Sequence, residues 1–412
     1  MTFAKRYRSS AMARLVCIAG TLALLTSLAQ AQGITVLHNF TGRDDGGASQ
    51  AGLTMDRAGN LYGTTNEGGT GGFGVVFRMS PAGSGWVLTT LHSFNSTDGA
   101  SPDGGVIFGP DGSLYGMTTW GGNYGYGTVY RLRPSPTICT SALCPWEESL
   151  LYSFTGGADG QYPGYGNLVF DHSGNLYGTT SSGGDGNGGV VFKLTPSNGS
   201  WTEGVLWNFS GSAGGLSPES GPIFDNAGNL YGTTNYGGTY GAGTVYEVSP
   251  SGSGWSEQTL ASIDFPNANT CGGVVMDGHG NLFGASGCFV PGQPGGVFEL
   301  TPSNGSWTFN VLHAFTSSSY NEGPYDTPTL DAAGNVYGTS ISTGAYGGGE
   351  VFKLTPSNGG WTYTSTSFDF TNGDGPTGSV ILDAAGNIYG TTDLGGPGQC
   401  GAGCGVVWKI TP

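Results

Sequence analysis

Residues 171–180 read DHSGNLYGTT, which places a carboxylate, an imidazole and several hydroxyls within ten positions. Taken alone, Asp171, His172 and Ser173 carry the parts of a nucleophilic triad. Adjacent side chains splay apart in a turn, however, and the stretch recurs along the chain. Aligned on its tyrosine it returns at Tyr62, Tyr115, Tyr177, Tyr231, Phe283, Tyr337 and Tyr389, at spacings of 53, 62, 54, 52, 54 and 52. A period of that length marks one supersecondary unit per repeat, stacked in a row or closed into a ring.

Each unit predicts four short strands. An apolar run such as NLVF (167–170) leads into Asp-x-x-Gly-Asn, where aspartate opens a tight turn and glycine takes positive φ. LYGTT forms the second strand. A Gly-rich loop precedes the third, as in GVVFKLTP (189–196), where apolar and polar residues alternate. PSNGSW (196–201) turns the chain again into a fourth strand ending near VLWNF (205–209). Seven such units without a helical pattern predict an all-β, seven-bladed β-propeller of four-stranded blades. The ends agree: ITVLHNF (34–40) matches a fourth strand, and GVVWKITP (405–412) matches a third. Pairing the N-terminal strand into the C-terminal blade closes the ring and removes exposed sheet edges. Trp86, Trp146, Trp201, Trp255, Trp307 and Trp361 begin the fourth strands and are expected to pack blade on blade. Arg78, Arg131, Lys193, Glu247, Glu299, Lys353 and Lys409 share one third-strand position, read as the solvated side of that strand.

Before the repeats, Lys5, Arg6, Arg8 and Arg14 lead into LVCIAGTLALLTSLAQA and the small residues Ala29 and Ala31. This is the layout of a secretory signal peptide over residues 1–31, too short in its apolar part to favour a membrane span. A single propeller domain over 32–412 follows. Without the leader, eight basic residues face twenty-eight acidic ones, a net charge of −20. Such a surface excludes nucleic acid and anionic membrane as natural partners. Together these features predict an exported monomer, secreted or held at the cell surface.

The unit D-x-x-G-N-L-Y-G-T-T … G-G … G-x-V-F-K-L-T-P-S-x-G-x-W resembles the GloVer (Gloeobacter/Verrucomicrobia) tandem repeat of exported bacterial proteins. Its DAAGN[LVI]YGT core at 331–339 and 383–391 is more distantly similar to NHL-type propeller repeats. The resemblance implies the fold and brings no catalytic residues with it.

Candidate chemistry lies elsewhere than in the turns. His38, His92 and His313 share one fourth-strand column and so are spread around a ring rather than gathered at a metal. Asp56, Asp171, Asp225, Asp277, Asp331 and Asp383, with Asp111 in a shifted turn, are explained by turn formation. Six cysteines follow the leader in short-range pairs: Cys139 with Cys144, Cys271 with Cys288, and Cys400 with Cys404. Export favours disulfides for them; zinc is the rival, without a histidine at suitable spacing. No GxSxG elbow, HExxH or phosphate loop is present.

The loops joining second to third strands and blade to blade share one face of a propeller, and these vary between repeats. WGGNYGYG (120–127), NYGGTYGAG (235–243) and STGAYGGG (342–349) present Trp120, Tyr124, Tyr126, Tyr236, Tyr240 and Tyr346, suited to stacking on sugar rings. NSTDGASPDG (95–104), GADGQYPGYG (157–166) and SYNEGPYDTP (319–328) present Asp98, Asp159 and Asp326, suited to hydroxyl groups or to calcium. The expectation is a binding module for an extracellular polysaccharide or protein, without an organic cofactor. The rivals are a polysaccharide lyase or glycosidase with its site at the channel mouth, and a non-catalytic cell-surface structural protein.

Overall fold

The computed structural model describes residues 33–134, 146–211, 213–265, 268–287, 295–315, 323–398 and 400–412. The expected signal peptide (1–31) and Cys139, Cys144 and Cys288 lie outside the described residues. What is described is all β, as seven antiparallel four-stranded sheets. The first blade comprises Thr54–Met55, Leu61–Thr65, Val75–Ala82 and Gly85–Ser93. The second to sixth repeat this plan, with first strands starting at Ile107, Val169, Ile223, Val274 and Thr329. The seventh takes Ile381–Leu382, Ile388–Thr391 and Val406–Ile410 from the C-terminal end and Ile34–Asn39 from the N-terminal end. Among the described residues no helix is long and apolar enough to cross a membrane.

The N-terminal strand is a true fourth strand. It runs antiparallel to Val406–Ile410 in the register Ile34↔Ile410 to Asn39↔Val406, with Leu37 bulged out between Val36 and His38. The same leucine is bulged in blades 1 to 5, at Leu91, Leu151, Leu206, Leu260 and Leu312. A bulge sharpens strand twist, so its recurrence gives every outer strand the same curvature. Blade 6 lacks it.

The decisive stretch is fully used by the fold. Oδ1 of Asp171 accepts from the backbone N–H groups of Ser173 and Asn175, and Oδ2 accepts from Asn175 Nδ2 and the Tyr177 hydroxyl. Gly174 closes the turn at φ +82°, open to glycine without the clash an L side chain meets there. Leu176 is fully buried. Thr179 Oγ1 donates to the carbonyl of Ser220 in the next blade, and Thr180 Oγ1 to the carbonyl of Ser182, which holds the following loop. The tyrosine ring of the stretch takes the tryptophan of the following blade: Trp201 lies 6.5 Å from Tyr115, Trp146 6.2 Å from Tyr62, Trp307 6.4 Å from Tyr231, and Trp361 6.3 Å from Phe283. At the ring junction Trp86 lies 6.2 Å from Tyr389.

The charged third-strand column is not simply solvated. Its members stand cross-strand from these tyrosines, and Lys193, Lys353 and Lys409 place Nζ over Tyr177, Tyr337 and Tyr389 at 5.4, 5.3 and 5.5 Å. A strand position that looks solvent-facing by alternation here covers the ring of its neighbour.

Candidate functional site

Both variable loop sets lie on one face and are zipped together. Ala100 and Trp120 exchange backbone hydrogen bonds of 2.8 and 3.0 Å, and Leu216 and Tyr236 do so at 2.8 and 3.1 Å. The same bridging joins Gln161 to Ser182 and Asp374 to Leu394. The loop face is thus a preformed surface.

After each bridge the chain dives toward the ring axis before the short first strand. These inward segments press against one another: a Cβ on Gly166 would sit 1.9 Å from the backbone nitrogen of Gly221 in the next segment. Small residues therefore recur at that position: Ala51, Gly104, Gly166, Ser220, Gly272 and Gly378. Asp326 is the exception. Its Oδ1 accepts from Thr327 N at 2.6 Å, and its Oδ2 reaches across to Ser379 N at 2.6 Å and Ser379 Oγ at 2.8 Å, tying blade 6 to blade 7.

One residue earlier, the same seven segments contribute Gln50, Asp103, Tyr165, Glu219, Cys271, Tyr325 and Thr377, and all seven line a single central cavity of about 390 Å³. One chain position, repeated seven times, forms a collar of unlike side chains. Above it, a wider depression of about 680 Å³ shares Gln50, Asp103, Tyr165, Tyr325 and Thr377 with the cavity and adds Trp120, Phe370, Asp374 and Asp393. The two make one funnel, narrow at the collar and open on the loop face. Pockets of this size take small ligands or the end of a larger one.

The funnel is acidic. Asp103 accepts a 2.5 Å hydrogen bond from Thr119 Oγ1, yet burial, with the Asp393 carboxylate adding to it, pushes it up to about 6. Burial likewise raises Glu219 against hydrogen bonds from Asn235 and Ser217, and it raises Asp326, Asp374 and Asp393. Burial, then the fields of Asp103 and Glu219, push Tyr165 up to about 12, although 45 % of the residue is exposed. Tyr325 is raised by burial and then by Glu219, Tyr165, Asp326 and Asp103. These mutual fields link groups from four different inter-blade segments. Among the described residues, no Lys, Arg or His lines either part of the funnel.

Of the residues singled out from sequence, Trp120, Asp326 and the disulfide candidate Cys271 belong to the funnel. Trp120 is 47 % exposed and packs 4.4 Å from Tyr162 with the ring planes tilted by 51°, and Tyr162 also lies 6.1 Å from the half-buried Tyr126. Tyr124, Tyr236, Tyr240 and Tyr346 are exposed and line neither part. Asp98 and Asp159 brace their own loops: Asp98 accepts from Asn95 N and Nδ2 and lies 3.3 Å from His92, and Asp159 accepts from Thr155 N and Oγ1 and from the Tyr152 hydroxyl. His38 pairs with Asp45 in the same way, at 3.0 Å. Among the described residues no three His, Cys, Asp or Glu side chains form a metal cage. Cys400 and Cys404 form a disulfide with Cα atoms 5.1 Å apart, and Cys271 is also disulfide-bonded. The collar itself escaped the sequence reading. Its signal was available: a position three or four residues before each first strand that changes chemistry from unit to unit, inside a frame that otherwise repeats.

A solved structure shares the fold. A protein described as a 6-phosphogluconolactonase, from Bacteroides uniformis, is similar at 16 % identity and a TM-score of 0.50, over 76 % of this chain and 83 % of that one. An oxidoreductase (glucose dehydrogenase) structure from Thermus thermophilus matches at 14 % identity and a TM-score of 0.45, over 92 % and 99 %. No curated protein matches in sequence. The model of the Gloeobacter/Verrucomicrobia repeat matches residues 19–146 and 142–326, and the chain therefore belongs to that repeat family.

Proposed function

We propose that the chain is an exported ligand-binding module that takes the end or a short stretch of an extracellular polysaccharide into the funnel of the loop face. The observation that supports this reading is the collar: seven equivalent positions hold side chains of mixed chemistry around one cavity, whereas the position after it holds to small residues everywhere but at Asp326. A structural role alone asks for repetition at such a position. The exposed rings of Trp120, Tyr165 and Phe370 provide stacking faces, and the carboxyl groups below them accept hydrogen bonds from hydroxyls. A concave site of about 390 Å³ fits a chain end better than a protein partner, which needs roughly 800 Å² of surface on each side.

The test is retention of the purified protein on a panel of immobilised polysaccharides, repeated with Tyr165→Ala/Tyr325→Ala. Retention that the double substitution abolishes, with the fold intact by circular dichroism, supports the reading. Retention unchanged by it removes the funnel from consideration. A second reading, hydrolysis or elimination of a polysaccharide, draws on one observation: a carboxyl raised to about 6 in a cavity is suited to general acid catalysis. Release of reducing or unsaturated ends by the wild type, absent from Asp103→Asn, would favour it.

A further inference from the structure

We propose that Tyr162 is a positioning residue of the binding site, which fixes the indole of Trp120 as a wall of the funnel mouth for a sugar ring to pack on. This rests on the reading of the funnel as the binding site.

The first observation is a departure from a shared backbone frame. Ala48, Ser101, Tyr162, Ser217 and Gly375 hold one position in five inter-blade segments, at φ of 55, 51, 60, 60 and 63°. Each makes the same two backbone bonds. Tyr162 N donates to the Tyr126 carbonyl at 3.0 Å and its own carbonyl accepts from Ser181 N at 3.1 Å, as Ser217 does with Gly188 and Asn235 at 2.8 and 2.9 Å. The frame therefore imposes a left-handed conformation, which suits glycine and is a true outlier for a bulky side chain. Four of the five segments place alanine, serine or glycine there, and the fifth places a tyrosine.

The second observation is where that ring goes. It packs 4.4 Å from the ring of Trp120, and Trp120, 47 % exposed, lines the open part of the funnel. Backbone bonds to Ala100 fix where the indole starts, and Tyr162 at its side restricts how it can turn.

A second departure falls in the same segment. In Ser101-Pro102-Asp103, Ser217-Pro218-Glu219 and Gly375-Pro376-Thr377 the collar residue follows the proline at once, whereas Tyr162-Pro163 is followed by Gly164 and only then by Tyr165. A Cβ on Gly164 would sit 1.9 Å from Oγ1 of Thr119, the residue before Trp120, so the insertion has to be glycine. Tyr165 lines the funnel mouth together with Trp120. Both departures thus serve one wall, and the other four segments make the same backbone bonds without either. What the wall gains is preorganisation: a ring already held in place loses less freedom when a ligand packs on it.

The test is affinity electrophoresis of the full chain in native gels cast with laminarin, xylan, glucomannan, pectin or alginate, with dissociation constants taken from the retardation. Tyr162→Gly gives the position the residue its φ favours. Its urea midpoint is expected to be unchanged or raised while affinity falls at least about five-fold. Tyr162→Phe keeps the ring and is expected to stay within about two-fold of the wild type. On a Trp120→Ala background, Tyr162→Gly is expected to change affinity by less than about two-fold, because the two side chains act as one unit. Unchanged affinity in Tyr162→Gly, in a gel where Tyr165→Ala/Tyr325→Ala abolishes retardation, overturns this role and leaves the funnel standing. Affinity and urea midpoint falling together, without rescue by phenylalanine, would make Tyr162 a brace of the fold and overturn the role as well. Retardation of the wild type by none of the five polysaccharides, or retardation that the Tyr165/Tyr325 pair leaves intact, overturns the funnel and this role with it.

Discussion

The hydroxyl of Thr391 in the last blade donates a 2.9 Å hydrogen bond to the carbonyl of Ala51, 340 residues earlier in the chain. The same bond links Thr179 to Ser220 and Thr233 to Gly272 between neighbouring blades. The junction between the chain's ends is therefore built as the other blade contacts are.

That equivalence has a measurable consequence. Thr179→Val and Thr391→Val each leave one buried carbonyl without its donor and are expected to cost about 1–2 kcal/mol, in equal measure, by urea denaturation. If Thr391→Val were silent while Thr179→Val was not, the ring would be open at its junction in solution.

Phe40 directly follows the N-terminal strand, is fully buried and packs 5.3 Å from Phe77 of the first blade. Phe40→Ala is expected to cost about 3–5 kcal/mol, as for other buried aromatics cut to a methyl. Because the strand it follows also covers the edge of Val406–Ile410, removal of residues 33–40 should go further and promote association through that edge, visible by light scattering.

Stability should peak in mild acid. Burial opposes ionisation of Asp56, Asp171, Asp225, Asp277, Asp331 and Asp383, but the turn hydrogen bonds win and hold all six below 3.8. Their contribution is present above that value and is lost as pH falls through the lower folded-state value. Burial instead raises Asp103 to about 6 and Glu148 and Glu203 to about 7. Their contribution is complete below the ordinary 3.8 and 4.5 and is lost as pH rises toward 7. Urea midpoints are expected to be highest between roughly pH 4 and 5 and lower at pH 3 and at pH 7.5. A midpoint that climbs steadily to pH 7.5 would show that the raised acids do not titrate as placed here.

The propeller was legible because each part of DHSGNLYGTT has a local job that must be done again in every blade. Asp171 and Gly174 make a turn, and Thr180 braces a loop within its own unit. The N-terminal strand was legible for the same reason: ITVLHNF shares the pattern of a fourth strand, and the structure gives it the same bulge. Tyr124 and Tyr346 stood out as candidates because a ring amid glycines is conspicuous, yet prominence says nothing about convergence. Asp103, Glu219 and Tyr325 meet only because closure brings segments more than fifty residues apart to one axis. Their separate loops look like ordinary turn sequence. Asp326 is conspicuous in its loop, while its neighbour Tyr325 holds the collar position.

The most direct measurement compares the collar with the rim. Affinity for the best-retained polysaccharide, measured by titration calorimetry, is expected to fall at least about ten-fold in Tyr165→Ala/Glu219→Gln and to change less than about two-fold in Tyr124→Ala/Tyr240→Ala. The reverse order, with binding lost from the exposed rim tyrosines and kept without the collar, would contradict the assignment of the funnel as the site.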